Sequence, residues 1–239
     1  MHLSRSVCVA ALCLASVSAS AQTAVDPTGH WEGTVSAGSY GDLPVEIDLM
    51  KNASGALVGT ITLPARKLKG FPLTEVAVER RTVRFAVGGS TDARFEGELA
   101  GDGKSMSGSL NGQAGPFPMS LARTGDARTE APLKSAKIGK ELEGTWTGAL
   151  EAEGRTLRAV LKMTNNADGT STGHIISVDE GGLDLPVAIV QQGANLVIDV
   201  PMVGSSYSGA LNAAGTELVG TYKTGQGFEL PLTFKRTPG

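Results

Sequence analysis

The chain has 239 residues, with 24 acidic against 21 basic side chains and a formal charge of −3. That balance leaves no basic stripe to neutralise phosphates, which argues against nucleic acid as a partner. Abundant glycine and few helix-forming runs favour short strands and tight turns.

The first element in chain order is a leader. Arg5 supplies a positive n-region, and Val7 to Val17 is an apolar stretch of about 11 residues, too short to span a bilayer. Ala19-Ser20-Ala21 fits an A-x-A cleavage site. Residues 1–21 are therefore expected to be a signal peptide cut after Ala21, which makes the protein periplasmic or secreted. Lipoprotein processing is the alternative. It is disfavoured because Leu12 precedes Cys13 where a small residue is needed, and because Cys8 lies too early. Both cysteines fall in this leader, so the mature chain is expected to lack disulfides, thiolate nucleophiles and cysteine metal ligands. Arg5 is the leader's one charged residue, so its removal takes the charge from −3 to −4. No later segment is apolar for long enough to cross a membrane.

The remainder is two copies of one unit. Gly29-His30-Trp31-Glu32-Gly33 opens the first, over residues 26–124, and Gly144-Thr145-Trp146-Thr147-Gly148 opens the second, over 143–237. Asn52-Ala53-Ser54-Gly55 matches Asn166-Ala167-Asp168-Gly169. Gly59 matches Gly173, and Phe71-Pro72 matches Leu185-Pro186. Phe95-Glu96-Gly97-Glu98-Leu99 matches Tyr207-Ser208-Gly209-Ala210-Leu211. Both copies close on an apolar run ending in Arg-Thr, and the offset drifts only between 112 and 115.

Alternation within each copy predicts strands. Val45, Ile47 and Leu49 oppose Glu46 and Asp48; Val83, Phe85 and Val87 repeat the pattern, as do Leu196, Ile198 and Val200. Strands are predicted at 30–36, 43–50, 56–63, 72–79, 82–87, 93–99, 104–110 and 117–123 in copy one. Closing eight antiparallel strands removes exposed edges. The predicted fold is thus all-β, two tandem antiparallel eight-stranded up-and-down barrels, with flattened β-sandwiches as the alternative. Between the copies, 125–142 is Lys-rich, contains Pro132 and lacks alternation. It reads as a solvated linker that couples the copies loosely, with a short helix near Leu133 to Lys140.

The Gly-x-Trp of the first strand and the Arg of the last resemble the lipocalin-type (calycin) barrel pattern. The matching pairs are Trp31 with Arg123 and Trp146 with Arg236. That resemblance implies a guanidinium laid on an indole at the closed end of each barrel, with a structural role. Copy two also resembles the β domain that precedes an α/β-hydrolase (esterase or peptidase-like) domain in many exported bacterial enzymes. The features that carry this likeness are Gly-x-Trp-x-Gly, Asp184-Leu185-Pro186-Val187, Tyr207-Ser208-Gly209 and the closing Leu-Pro-Leu-Thr. It implies association with a secreted hydrolase and carries over no catalytic residue.

A direct search for catalytic sets agrees. No Gly-x-Ser-x-Gly elbow occurs, and Gly204 to Gly209 has the wrong spacing. His30 and His174 occupy non-equivalent positions and read as surface histidines, although a Ser–His pair is the catalytic alternative. No spacing supports a metal shared by these histidines. Asp179-Glu180-Gly181-Gly182-Leu183-Asp184 lacks the ligand alternation of a calcium loop and reads as a solvated turn. Glu46 with Asp48, and Glu96 with Glu98, lie about 6.5–7 Å apart on one strand face by strand rise. A glycosidase could use such a separation, but this is the polar outer face and neither pair recurs in copy two. No cofactor is expected.

Two functions remain. The first is a non-catalytic exported binding or accessory module for a small apolar or amphipathic ligand, since an eight-stranded barrel is either filled or holds one small molecule. Candidate lining residues are Leu49, Val83, Phe85, Phe95 and Met119 in copy one, and Met163, Ile198, Tyr207, Leu232 and Phe234 in copy two. The second is an ester or peptide hydrolase, inferred from the hydrolase-associated resemblance alone.

Overall fold

The computed structural model describes residues 25–88, 93–112, 115–129, 132–152 and 154–238. The expected signal peptide lies outside them. Alternation in the sequence becomes two antiparallel meanders. In copy one, strands β1 (Gly29–Ser36), β2 (Asp42–Lys51), β3 (Leu57–Leu63), β4 (Leu68–Glu79), β5 (Thr82–Val87), β6 (Arg94–Leu99), β7 (Ser105–Gly112) and β8 (Gly115–Gly125) form a closed barrel.

The second barrel follows a two-residue strand, β9 (Ser135–Ala136). Its strands are β10 (Gly144–Ala152), β11 (Arg155–Asn165), β12 (Thr170–Ser177), β13 (Leu183–Gln192), β14 (Asn195–Val200), β15 (Ser205–Leu211), β16 (Glu217–Lys223) and β17 (Glu229–Arg236). They pair in order, and β10–β17 and β11–β12 pairing completes the ring. Equivalent turns reuse the same chemistry. Gly55 and Gly169 both take φ 81, a left-handed conformation that glycine adopts without a Cβ penalty. In each turn the glycine N–H donates to the carbonyl of the leading Asn, Asn52 or Asn166.

The inward rows are apolar and buried in both barrels. The outer face of barrel one is charged: Arg84 pairs with Glu96 and Glu79, and Arg94 pairs with Glu75. This polarity is the reverse of a transmembrane barrel, which is apolar outside and polar within. No helix among the described residues is long and apolar enough to cross a membrane.

Two expectations about the linker are corrected. No helix forms near Leu133 to Lys140. Instead β9 pairs with the start of β12, and a 3-10 turn covers Lys140–Leu142. Ile138 and Leu142 are buried in the barrel-two core. Asn165 clamps this strap, accepting from the Ile138 N–H at 3.0 Å and donating to its carbonyl at 2.9 Å. The second half of the segment is therefore wall, not tether. The barrels are also not loosely coupled. The Lys69 N–H donates to the Met202 carbonyl at 3.0 Å, and Lys67 Nζ donates to the Gly225 carbonyl at 2.5 Å.

Leu142→Ala is expected to destabilise barrel two by about 2–5 kcal/mol, the usual cost of a cavity left by a buried leucine. Urea unfolding followed by hydrogen exchange of the β10 and β12 amides measures this; an unchanged midpoint would show that the strap is a tether.

Candidate functional site

Joining the first strand to the last decides what each barrel can do. In both copies a fully buried tryptophan sits at that junction. Trp31 Nε1 donates to the Pro27 carbonyl at 3.0 Å, and Trp146 Nε1 donates to the Leu142 carbonyl at 3.0 Å, the same four-residue step back. Arg123 and Arg236 are paired in register with these tryptophans. Their Cζ atoms lie 5.6 Å and 4.2 Å from the indole centroids, within cation–π range. Arg236 also donates to the carbonyls of Gly215 (3.1 Å), Glu143 (2.8 Å) and Glu141. These four side chains meet where the first strand of each barrel joins the last.

The candidate lining residues are packed. Phe85 stacks on Phe95 with centroids 4.7 Å apart, and Tyr207 meets Phe234 edge-on at 5.4 Å. Leu49, Val83, Met119, Met163, Ile198 and Leu232 are buried with them. The lumens hold side chains at the places where a ligand was anticipated.

The seams differ between the copies. In barrel one, β1 and β8 remain paired through Gly33–Leu121, Thr34–Ser120 and Val35–Met119. In barrel two, pairing of β10 with β17 ends at Gly148–Phe234. The rungs equivalent to Thr34–Ser120 and Val35–Met119 would be Ala149–Thr233 and Leu150–Leu232, and they do not form. At this opening lies a cavity of about 700 Å³, lined by Thr147, Gly148, Ala149, Arg158, Ala159, Val160, Val178, Pro231, Leu232, Thr233 and Lys235. Its walls are small or aliphatic, and its rim carries two cations.

Those cations are held differently. Arg158 is committed to Asp179, with contacts of 2.5 and 3.1 Å from the guanidinium and 2.7 Å from the Arg158 N–H. These hydrogen bonds hold the Asp179 carboxyl down at about 2, against an ordinary 3.8. Lys235 is 72% exposed and lies 3.7 Å from Glu217, so it is loosely engaged. The acidic loop anticipated as a solvated turn is a turn whose carboxylates are spoken for: Asp179 by Arg158, and Glu180 by the Ser177 hydroxyl at 2.8 Å.

Among the described residues of barrel two, one buried side-chain polar atom has no partner. Tyr207 is 1% exposed and its hydroxyl makes no hydrogen bond. Burial pushes its pKa up to about 12. A Cβ built on Gly209 would sit 2.4 Å from Tyr207 Oη, and one on Gly220 would sit 2.8 Å from it. The two glycines therefore provide the space that the phenol occupies. Barrel one puts Phe95 over Gly97 in the same way, without a hydroxyl. Leaving such a group unpaired costs about 1–3 kcal/mol.

The histidines also differ from expectation. His30 is buried, not on the surface. Its Nδ1 lies 2.8 Å from Asp48 and its Nε2 lies 3.0 Å from Glu32. Arg128, in the chain leaving β8, lies over this cluster: its N–H donates to Asp48 at 2.7 Å and its guanidinium meets Glu32 and Glu46. His174 is half-exposed and bonds Asp184 at 2.8 Å. No serine hydroxyl is hydrogen-bonded to either ring among the described residues. Nor could any group of three or more His, Cys, Asp or Glu there hold a metal ion. Glu46 and Asp48 lie on the outer face and are tied to His30 and Arg128, while Glu96 and Glu98 engage Arg84, Thr82 and Arg81.

The groove residues Ala149, Val160, Val178, Thr233 and Lys235 were missed in the sequence. The available signal was divergence between copies, because Val160 stands where copy one has Glu46 and Thr147 where it has Glu32.

No family model and no curated protein sequence matches the chain. Among solved structures, a proposed outer membrane protein of Bacteroides fragilis is similar at 14% identity and a TM-score of 0.28, over 88% of this chain and 97% of that one. A protein of unknown function from the DUF3598 family of Nostoc punctiforme is similar at 14% identity and a TM-score of 0.24, over 90% and 97%.

Arg236→Ala is expected to destabilise barrel two by about 1–3 kcal/mol, by stripping three carbonyls of their donor. Thermal unfolding of the purified variant reads this out, and an unchanged midpoint would remove Arg236 from barrel closure. The Arg158–Asp179 clasp should respond to acid in a defined window. Because the folded-state pKa of Asp179 is depressed to about 2, its contribution is complete above the ordinary 3.8 and is lost as pH falls toward 2. Unfolding of Asp179→Asn against wild type should therefore converge at about pH 2; a constant difference across that range would contradict the assignment.

Proposed function

We propose that the protein is an exported, non-catalytic binding module whose site is the opened seam of barrel two. The observation that supports this is the combination of filled lumens with a cavity of about 700 Å³ at the one seam where the ladder stops short. That volume lies in the range of small-molecule sites, which are concave, mostly apolar and bear a few placed polar groups. The small side chains of Gly148, Ala149 and Ala159 leave room for an aliphatic body. Lys235 at the rim suits an acidic head. The ligand class is thus a small amphipathic acid.

Decanoate serves as a probe. Native mass spectrometry and calorimetry on the purified protein should show one bound molecule. Ala149→Trp should fill the groove and weaken binding about tenfold or more, equivalent to 1.4 kcal/mol. Thr34→Trp, at the matching position of barrel one, should leave binding unchanged. Equal loss in both variants, or binding that survives Ala149→Trp, would place the ligand elsewhere.

The resemblance of copy two to β domains of exported hydrolases supports an accessory role beside such an enzyme. The purified protein is then expected to leave chromogenic esters intact. Hydrolysis that disappears in His30→Ala or His174→Ala would overturn a non-catalytic function.

A further inference from the structure

The internal repeat supplies its own control for the groove. Relative to barrel one, barrel two departs at three neighbouring places. Its seam opens two rungs early. Ile198 replaces Phe85 opposite the aromatic of β6 or β15, as the Phe85–Phe95 and Ile198–Tyr207 registers show. Tyr207 replaces Phe95, adding the one unpaired hydroxyl among the buried lining side chains. Leu232 links these changes. It faces inward from β17 in register with Gly220, the glycine beneath Tyr207 Oη. Its Cδ1 leans across the seam, 3.1 Å from where a Cβ on Gly148 would be. Leu232 thus separates the outer groove from the Tyr207 hydroxyl.

Resting on the groove as the ligand site, we propose that Tyr207 selects the ligand: its hydroxyl pairs with a second oxygen, a hydroxyl or carbonyl, carried on the aliphatic chain of a small acid that enters past Leu232. Lys235 and Leu232 are three residues apart on β17, about 10 Å by strand rise. A medium-length chain with its carboxylate at Lys235 reaches that depth. To admit it, Leu232 and Phe234, whose Cδ1 atoms fill the space beside Gly148, must both shift. The pairing turns an orphaned buried donor into a satisfied one, so the preference should exceed that of an ordinary exposed contact.

The experiment compares decanoate with 10-hydroxydecanoate by calorimetry, on wild type and Tyr207→Phe. Phe is the residue barrel one already carries here, so the variant is expected to fold, with an unfolding midpoint at or above that of wild type. Wild type should bind the hydroxy acid about fivefold or more tighter than decanoate. Tyr207→Phe should bind both alike, at the affinity wild type shows for decanoate. Equal wild-type affinities, or a preference that survives Tyr207→Phe, would overturn the role of Tyr207 and leave the groove standing. Failure of both acids to bind would overturn the groove itself, and this inference with it.

Discussion

An eight-stranded meander must find a partner for its first strand, or leave a row of backbone donors and acceptors at two raw edges. Every other feature of this protein is arranged around that requirement. The first strand carries a tryptophan on its inner row, and the last strand carries an arginine in register with it. The indole N–H is satisfied by a carbonyl four residues back, which also pins the chain entering the barrel. In barrel two that entering chain is the strap through Ile138 and Leu142, and Arg236 ties its carbonyls down. Closure, strap and core therefore share one set of contacts.

The same requirement is met to different extents in the two copies, and the groove of barrel two follows from the difference. Barrel one zips its seam and stacks Phe85 on Phe95. Its outer face at β1 and β2 is occupied by His30, three carboxylates and Arg128. Barrel two stops zipping after Gly148, and at the matching outer positions it carries Thr145, Thr147, Val160 and Lys162 in place of His30, Glu32, Glu46 and Asp48. Duplication thus leaves one copy as a filled, hydrogen-bonded body beside a second copy that carries an opening.

Strand positions and inward rows were legible because period-2 alternation is a local property. Val45, Ile47 and Leu49 announce their face without reference to the rest of the chain. The pairing of Trp with Arg was legible because closure forces the first and last strands together. The strap was not: Ile138 and Leu142 are its buried anchors, and two apolar residues four apart carry no strand signal. His30 was misplaced because its partners Asp48 and Glu46 reach it by strand pairing, and Arg128 meets the same carboxylates from the chain leaving β8. The groove was hidden for a similar reason, since the end of a ladder is set by register between strands distant in sequence. Comparing Glu46 with Val160 would have pointed to it.

Backbone amide hydrogen exchange tests the difference between the seams most directly. The amides of Thr34 and Ser120 in barrel one and of Ala149 and Thr233 in barrel two occupy equivalent, seam-facing positions. Protection of Thr34 and Ser120 comparable to neighbouring core strands, with fast exchange at Ala149 and Thr233 that slows when decanoate is added, is the result predicted. Equal protection of all four amides in the free protein would mean that both barrels are zipped alike, and would contradict the account.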